Sequence, residues 1–176
     1  MSELYNITLV NNILNEFNNN NKVQAYKKLK DYLLNYPKDF KSIYNYALMA
    51  ETLGDIEIAI NNYNKVIKND KNNWRSRFNL YLIYIKRKDY EKALLLVNAV
   101  LNIKPNYQPA LRDKALIYYY LGRPDEGLLL IQKSININSD DYIAINILGL
   151  ILGSLKLHEK AKEVFEKAIK LNPKYF

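Results

Sequence analysis

The chain has 176 residues, 49% apolar and 25% charged, a balance that suits a folded body and argues against a disordered one. It carries no cysteine, which excludes a disulfide framework, a thiolate metal site and a cysteine nucleophile. Its 26 Lys and Arg against 18 Asp and Glu leave a net charge of +8, enough to attract an anionic partner, yet the lysines are scattered and solvated faces account for them.

The opening stretch MSELYNITLVNN has an acid where a secretory signal carries positive charge, and Asn11 and Asn12 interrupt its apolar run. A cytoplasmic location is the expectation. Further on, LGDIEIAI at 53–60 returns as LGRPDEGL at 121–128, and copies also stand at half that interval, 34 residues. Stepping by 34 collects the acids Glu57, Glu91, Asp125 and Glu159, and the small residues Ala25, Ala59, Ala93, Gly127 and Ala161. A third column, Pro37, Lys71, Pro105, Ser139 and Pro173, marks the break between units.

Within each unit, apolar residues recur at three- and four-residue spacing in two blocks, which predicts two helices. In the fourth unit Leu111, Ala115, Tyr118 and Leu121 line the first helix, and Leu128, Ile131 and Ile135 the second. Pro109 and Pro124 sit at the expected helix starts, where a missing N–H costs nothing. Asp55 and Asp89 are placed to cap second helices, and the acidic column falls in their first turns, where the positive end of the helix dipole favours a carboxylate. Those acids lie one whole unit apart, too far to act on one substrate atom, so they read as structural. The small column lets two helices approach closely; a leucine there would overpack the crossing by about 1–3 kcal/mol. The longest apolar stretch, YIAINILGLILGSL at 142–155, is too short for a membrane span and contains Asn146.

These residues resemble the tetratricopeptide repeat family, whose 34-residue helix–turn–helix unit has a large residue, a small position, an aromatic, an alanine, another aromatic and a final proline. The last unit matches best, with Ile145, Leu148, Gly149 and Leu152 followed by Ala161, Phe165, Ala168 and Pro173. The second offers Tyr46, Ala47, Ala59 and Tyr63; the third Leu80, Tyr84, Ala93 and Pro105; the fourth Ala115, Tyr118 and Gly127. The resemblance implies an all-α fold, a right-handed α-solenoid of antiparallel helix hairpins, as a single domain over 1–176 with units at about 6–39, 40–73, 74–107, 108–141 and 142–175. Tyr81 stands where a small residue is usual and Lys114 where a large apolar one is, while Arg77 occupies the tryptophan column. The sole tryptophan, Trp74, reads as a boundary packing residue. With Asn12, Ile13 and Glu16 in its first helix, the first unit is expected to be distorted and to cap the array.

Function in such an array is argued from a surface. The resemblance implies that first helices line a concave face that binds protein or peptide, and it places Tyr44, Leu48, Arg75, Phe78 and Leu82 there. On the later first helices it places Arg112, Leu116, Tyr119, Asn146 and Leu150. A set of large apolar side chains facing solvent marks an interaction site, here a trough with arginine handles for an amphipathic helix or an extended apolar peptide. One branch of the family clamps a chaperone's C-terminal carboxylate with Lys, Asn and Arg. The corresponding places hold Val10, Leu14, Asn45, Arg75 and Asn79, and only Asn45 and Arg75 suit that task, so this role is not expected.

Enzymatic chemistry finds few parts. His158 is the single histidine, at an expected surface helix start, and no metal or cofactor is expected. LGLILG at 148–153 lies inside an apolar helical pattern and forms no phosphate loop. Lys86, Arg87 and Lys88 make the densest basic patch, without an aromatic stacking platform, so nucleic acid is the alternative partner and not the expected one. After the last break the sequence stops at NPKYF, leaving Phe165, Ile169, Leu171 and Phe176 with an uncovered side. Two readings stay open: self-association through that end face, or a chain that is the repeat region of a longer, transferase-type protein.

Overall fold

The computed structural model describes residues 3–174, with side chains from residue 6 onward. Among them stand ten helices and no strand: α1 (Glu3–Asn18), α2 (Lys22–Asn35), α3 (Phe40–Leu53), α4 (Ile56–Asn69), α5 (Trp74–Lys86), α6 (Tyr90–Ile103), α7 (Gln108–Tyr120), α8 (Pro124–Ile137), α9 (Tyr142–Ser154) and α10 (His158–Leu171). Helices pack on their chain neighbours, α1 with α2, α3 with α4, α7 with α8 and α9 with α10. Contacts divide the chain inside α5 into two compact units, Met1–Leu80 and Tyr81–Phe176. Phe176, assigned above to the end face, lies outside the described residues.

The turn inside each helix pair is set by one backbone conformation. Asn20, Gly54, Lys88, Gly122 and Lys156 follow one another at steps of 34, and all have positive φ, between 59° and 88°. That left-handed residue reverses the chain in the two or three residues between helices, and glycine adopts it without strain. The small-residue column is buried as expected, with Ala25, Ala59 and Ala93 fully covered. At Gly127 a Cβ would stand 3.0 Å from the carbonyl oxygen of Ala115, so α8 crosses α7 closely and a side chain there would have to push the two helices slightly apart.

Helix starts follow a second column that the sequence reading did not identify. Asp39 accepts from the N–H of Ser42, Asn73 from that of Ser76, and Asp141 from those of Ile143 and Ala144, again at steps of 34 or its multiples. Each side chain satisfies backbone donors that have no partner inside the helix. The expectation for second helices needs one correction: Asp89 caps α6, but Asp55, although at the N-cap position of α4, makes no side-chain capping bond. Pro109 and Pro124 begin α7 and α8 as expected. The first repeat, expected to be distorted, contains two α-helices, α1 and α2. On α1, Asn12 and Asn15 are exposed.

Each unit has its own core. In the first, Val10, Ile13, Ala25, Leu29, Tyr32, Tyr46 and Met49 pack together across α1, α2 and α3. In the second, Ala115, Ile131, Ala144, Ile147 and Ile151 join α7, α8 and α9. Burying such side chains contributes on the order of 1.5–3 kcal/mol each for the larger ones.

Candidate partner-binding face

Four of the residues assigned to the binding face belong to the first unit. Leu48 on α3 is 37% exposed, a large apolar side chain left in water. Tyr44, one turn earlier, is half-buried and held. Its ring lies 5.8 Å from that of Tyr63, and its hydroxyl accepts a hydrogen bond from Asn79 Nδ2 at 3.1 Å. The same amide donates to Tyr63, whose hydroxyl donates to Glu51 at 3.1 Å. Burial and the Glu51 carboxylate push the Tyr63 phenol well above its ordinary value. Arg75 lies over the ring of Trp74, with its guanidinium carbon 4.9 Å from the centroid, and Phe78 is half-buried on the same helix.

The first unit also contains a trough that the assigned residues do not line. It lies between α1 and α3, about 720 Å³ in volume, with Ile7, Val10 and Leu14 of α1 as its apolar wall. Asn6 and Asn11 share that helix face, Asn45 comes from α3, and Lys38 and Lys41 stand beside them. The carboxylate of Asp39, at the same place, is fully engaged: it accepts from Tyr32 at 3.0 Å and from Ser42 Oγ at 2.7 Å as well as capping α3. Burial alone would raise Asp39, but the Ser42 and Tyr32 hydrogen bonds outweigh it and hold the carboxyl below its ordinary value. Tyr32, buried and bonded to that carboxylate, is pushed up to about 12. Val10, Leu14 and Asn45 are three of the positions compared above with the chaperone clamp. The sequence signal for a site here was Asn6 and Asn11 set among Ile7, Val10 and Leu14, which are spaced three and four apart.

Six assigned residues belong to the second unit. Leu82, Leu116, Tyr119, Asn146 and Leu150 are all half-buried. Leu116 and Tyr119 rest on the core formed by α7, α8 and α9 while keeping one side outward, and Tyr119 meets Tyr120 edge to face at 5.4 Å. Arg112 is different. Its Nε donates to Asp113 at 2.9 Å and its Nη1 to Asp141 at 3.2 Å, so the expected arginine handle is a clasp between two carboxylates.

That clasp belongs to a buried polar network. Tyr81, fully buried where the family pattern has a small residue, donates its hydroxyl to Asp113 at 3.1 Å. Gln108 donates to Asp141 at 2.7 Å and to Ser134 at 2.9 Å. Burial raises Asp113 above the usual carboxylate range despite the Arg112 charge. Burial would raise Asp141 too, but hydrogen bonds from Gln108, the Ala144 N–H and Arg112 bring it below that range. The network ties α5, α7, α8 and the start of α9, and the pairing of residues about thirty positions apart gave no sequence signal.

The other departure, Lys114, is half-buried with its ammonium 5.6 Å from the Tyr118 ring, and Arg123 lies over that ring at 4.9 Å. Burial lowers Lys114 below its ordinary value. His158 is exposed at the start of α10. Among the described residues, no three His, Cys, Asp or Glu side chains converge on a metal-sized site, and no helix is long and apolar enough to cross a membrane.

Two family models match the sequence, one described as the N-terminal TPR repeats region of Psidin over residues 79–175, the other as tetratricopeptide repeat over 25–108. A search of curated proteins finds no match. Among solved structures, MamA from Desulfovibrio magneticus RS-1 superposes with a TM-score of 0.87 at 22% identity, over 98% of this chain and 97% of that one. A tetratricopeptide repeat protein from Parabacteroides merdae gives 0.86 at 19% identity, over 96% of this chain and 67% of that one. At these identities the likeness is one of fold.

Proposed function

Since the chain belongs to the tetratricopeptide repeat family, we propose that it is a non-enzymatic interaction module that holds a peptide or helix of a partner protein against its first helices. The observation that carries the reading is the set of large apolar side chains kept partly in water: Leu48 and Phe78 in the first unit, Leu82, Leu116, Tyr119 and Leu150 in the second. Contact with a partner would remove their remaining apolar area from water. Tyr81 and Asp113, both raised by burial, are bonded to each other and to Arg112 in a structural network.

The test is capture of partners from a lysate of the source organism by wild type and by a Phe78→Ala, Tyr119→Ala variant whose melting temperature is measured in parallel. A protein retained by wild type and lost by a folded variant supports the reading. Equal retention by both sinks it.

A further inference from the structure

We propose that the edge of the second unit where the α5–α6 and α7–α8 turns meet binds a single-stranded nucleic acid, stacking bases on tyrosine and arginine and meeting phosphates with basic side chains; this goes beyond the partner-protein reading. In the sequence pattern no aromatic platform is aligned with the basic run Lys86, Arg87 and Lys88, but the fold supplies one. Tyr90, at the start of α6, stacks on Tyr120, at the end of α7, with ring centroids 4.7 Å apart and planes 12° from parallel. Tyr120 nonetheless stays 49% exposed, so with Tyr90 against one face most of the other is in water. A ring pair covered on one side only is a surface on which a base continues the stack, and every base has the flat face to do so.

A second platform lies on the same last turn of α7. Arg123 sits over the Tyr118 ring with its guanidinium carbon 4.9 Å from the centroid. Glu126 accepts from its Nε and from its Nη2, the latter at 2.8 Å, a fork that fixes the guanidinium plane. The side chain is still 46% exposed. The ring takes one face of the guanidinium and the carboxylate takes its edge, which leaves the second face for a base.

Phosphates fall to Lys86, Arg87 and Lys88, all exposed, and to exposed Lys156 in the α9–α10 turn. Two acids of this edge are in use: Asp89 accepts from Lys92 Nζ at 2.6 Å and caps α6, and Glu126 is held by Arg123. Glu91 and Asp125 lower the local positive field, but they stand in the first turns of α6 and α8, where the helix dipole accounts for them. Lys88 and Lys156 carry the plainest mark of a role. Each holds a left-handed backbone, with φ of 59° and 62°, that Gly54 and Gly122 adopt at the matching places without strain. A side chain kept against that strain points to a use for its charge.

The experiment uses the intact protein and fluorescein-labelled decathymidylate, followed by anisotropy. Its companions are a strand with the same phosphates but abasic at every position, and a decapeptide of glutamate. Saturable binding of decathymidylate is expected, at least about tenfold tighter than either companion. Engagement of about four phosphates would weaken it roughly fiftyfold between 50 and 200 mM salt. Lys88→Gly with Lys156→Gly relieves backbone strain while removing two charges, so it should fold and should reduce that fall to about sevenfold. Tyr120→Ala should lose about tenfold for decathymidylate and nothing for the abasic strand, whereas Tyr120→Trp should bind at least as tightly as wild type. A general loss of structure would weaken both strands alike. No saturable binding, equal affinity for the abasic strand or the glutamate peptide, an unchanged salt response in the glycine variant, or indifference to Tyr120→Ala overturns the proposal.

Discussion

Lys88 and Lys156 hold φ values of 59° and 62°, a conformation in which a side chain crowds its own backbone. Their equivalents Gly54 and Gly122 hold φ of 88° and 70° with open space where a Cβ would be, so strain at this position comes from the backbone and not from neighbours. Lys156→Gly should therefore stabilise the protein, by about 0.5–1 kcal/mol, and Gly122→Ala should destabilise it by about 1 kcal/mol. Urea unfolding followed by far-UV circular dichroism measures both; a loss of stability in Lys156→Gly would show that the lysine side chain contributes more than the strain it carries. This column was only partly legible beforehand. Asn20, Gly54 and Gly122 are residue types that favour the left-handed region, but two lysines in the same place concealed the rule, whereas alanine after alanine made the packing column plain.

Helix starts follow the same pattern of partial legibility. An aspartate or asparagine before α3, α5 and α9 is a recognisable cap, yet Tyr107 interrupts the column, and α7 begins with no side-chain capping bond. What replaces it is Pro109 within the first turn and the anchorage of Gln108 and Arg112 to Asp141. Asp141 thus serves two helices at once. Asp141→Asn keeps an oxygen for the α9 cap but removes the charge that Arg112 faces, and should cost about 1–3 kcal/mol at neutral pH. The folded Asp141 carboxyl lies below its ordinary 3.8, so its contribution is full above 3.8 and is lost as pH falls through the folded value. The stability gap between wild type and the variant should accordingly narrow on acidification below 3.8, as denaturation at neutral and acid pH would register. Asp113 runs the other way, since burial raises it and protonation relieves it, but it is common to both proteins; a gap that does not narrow in acid would show that the Asp141 charge is not what stabilises the fold.

Over the whole chain, a net charge of +8 makes salt dependence the discriminating measurement. Engagement of 6–10 phosphates would weaken binding by on the order of a thousand-fold or more between 50 and 200 mM salt. A partner held through half-exposed leucines and tyrosines should change by less than about tenfold over that range, and a steeper fall would transfer the function to nucleic acid. The architecture was readable from the sequence because a 34-residue step forces like residues into like environments. The binding face was less so: periodicity assigns a residue to a helix side but does not say whether its neighbours leave it open, hold it by an amide as with Tyr44, or close on it as with Arg112. The trough beside α1 went unassigned because it is built from the unit that departs most from the repeat.

The network around Arg112 also bears on how such a chain can change over generations. Solenoid units that touch only their neighbours through generic apolar contacts can be duplicated, deleted or exchanged. Residues 108–141 cannot be treated so. Transplanted elsewhere, they would carry Asp113 away from Tyr81, and replaced by a neighbouring unit they would leave Tyr81 without the carboxylate its hydroxyl meets. That repeat is therefore tied to its place by specific polar partners, as the third is to the second through Asn79, Tyr44 and Tyr63, and recombination that respects the 34-residue frame would break such pairs.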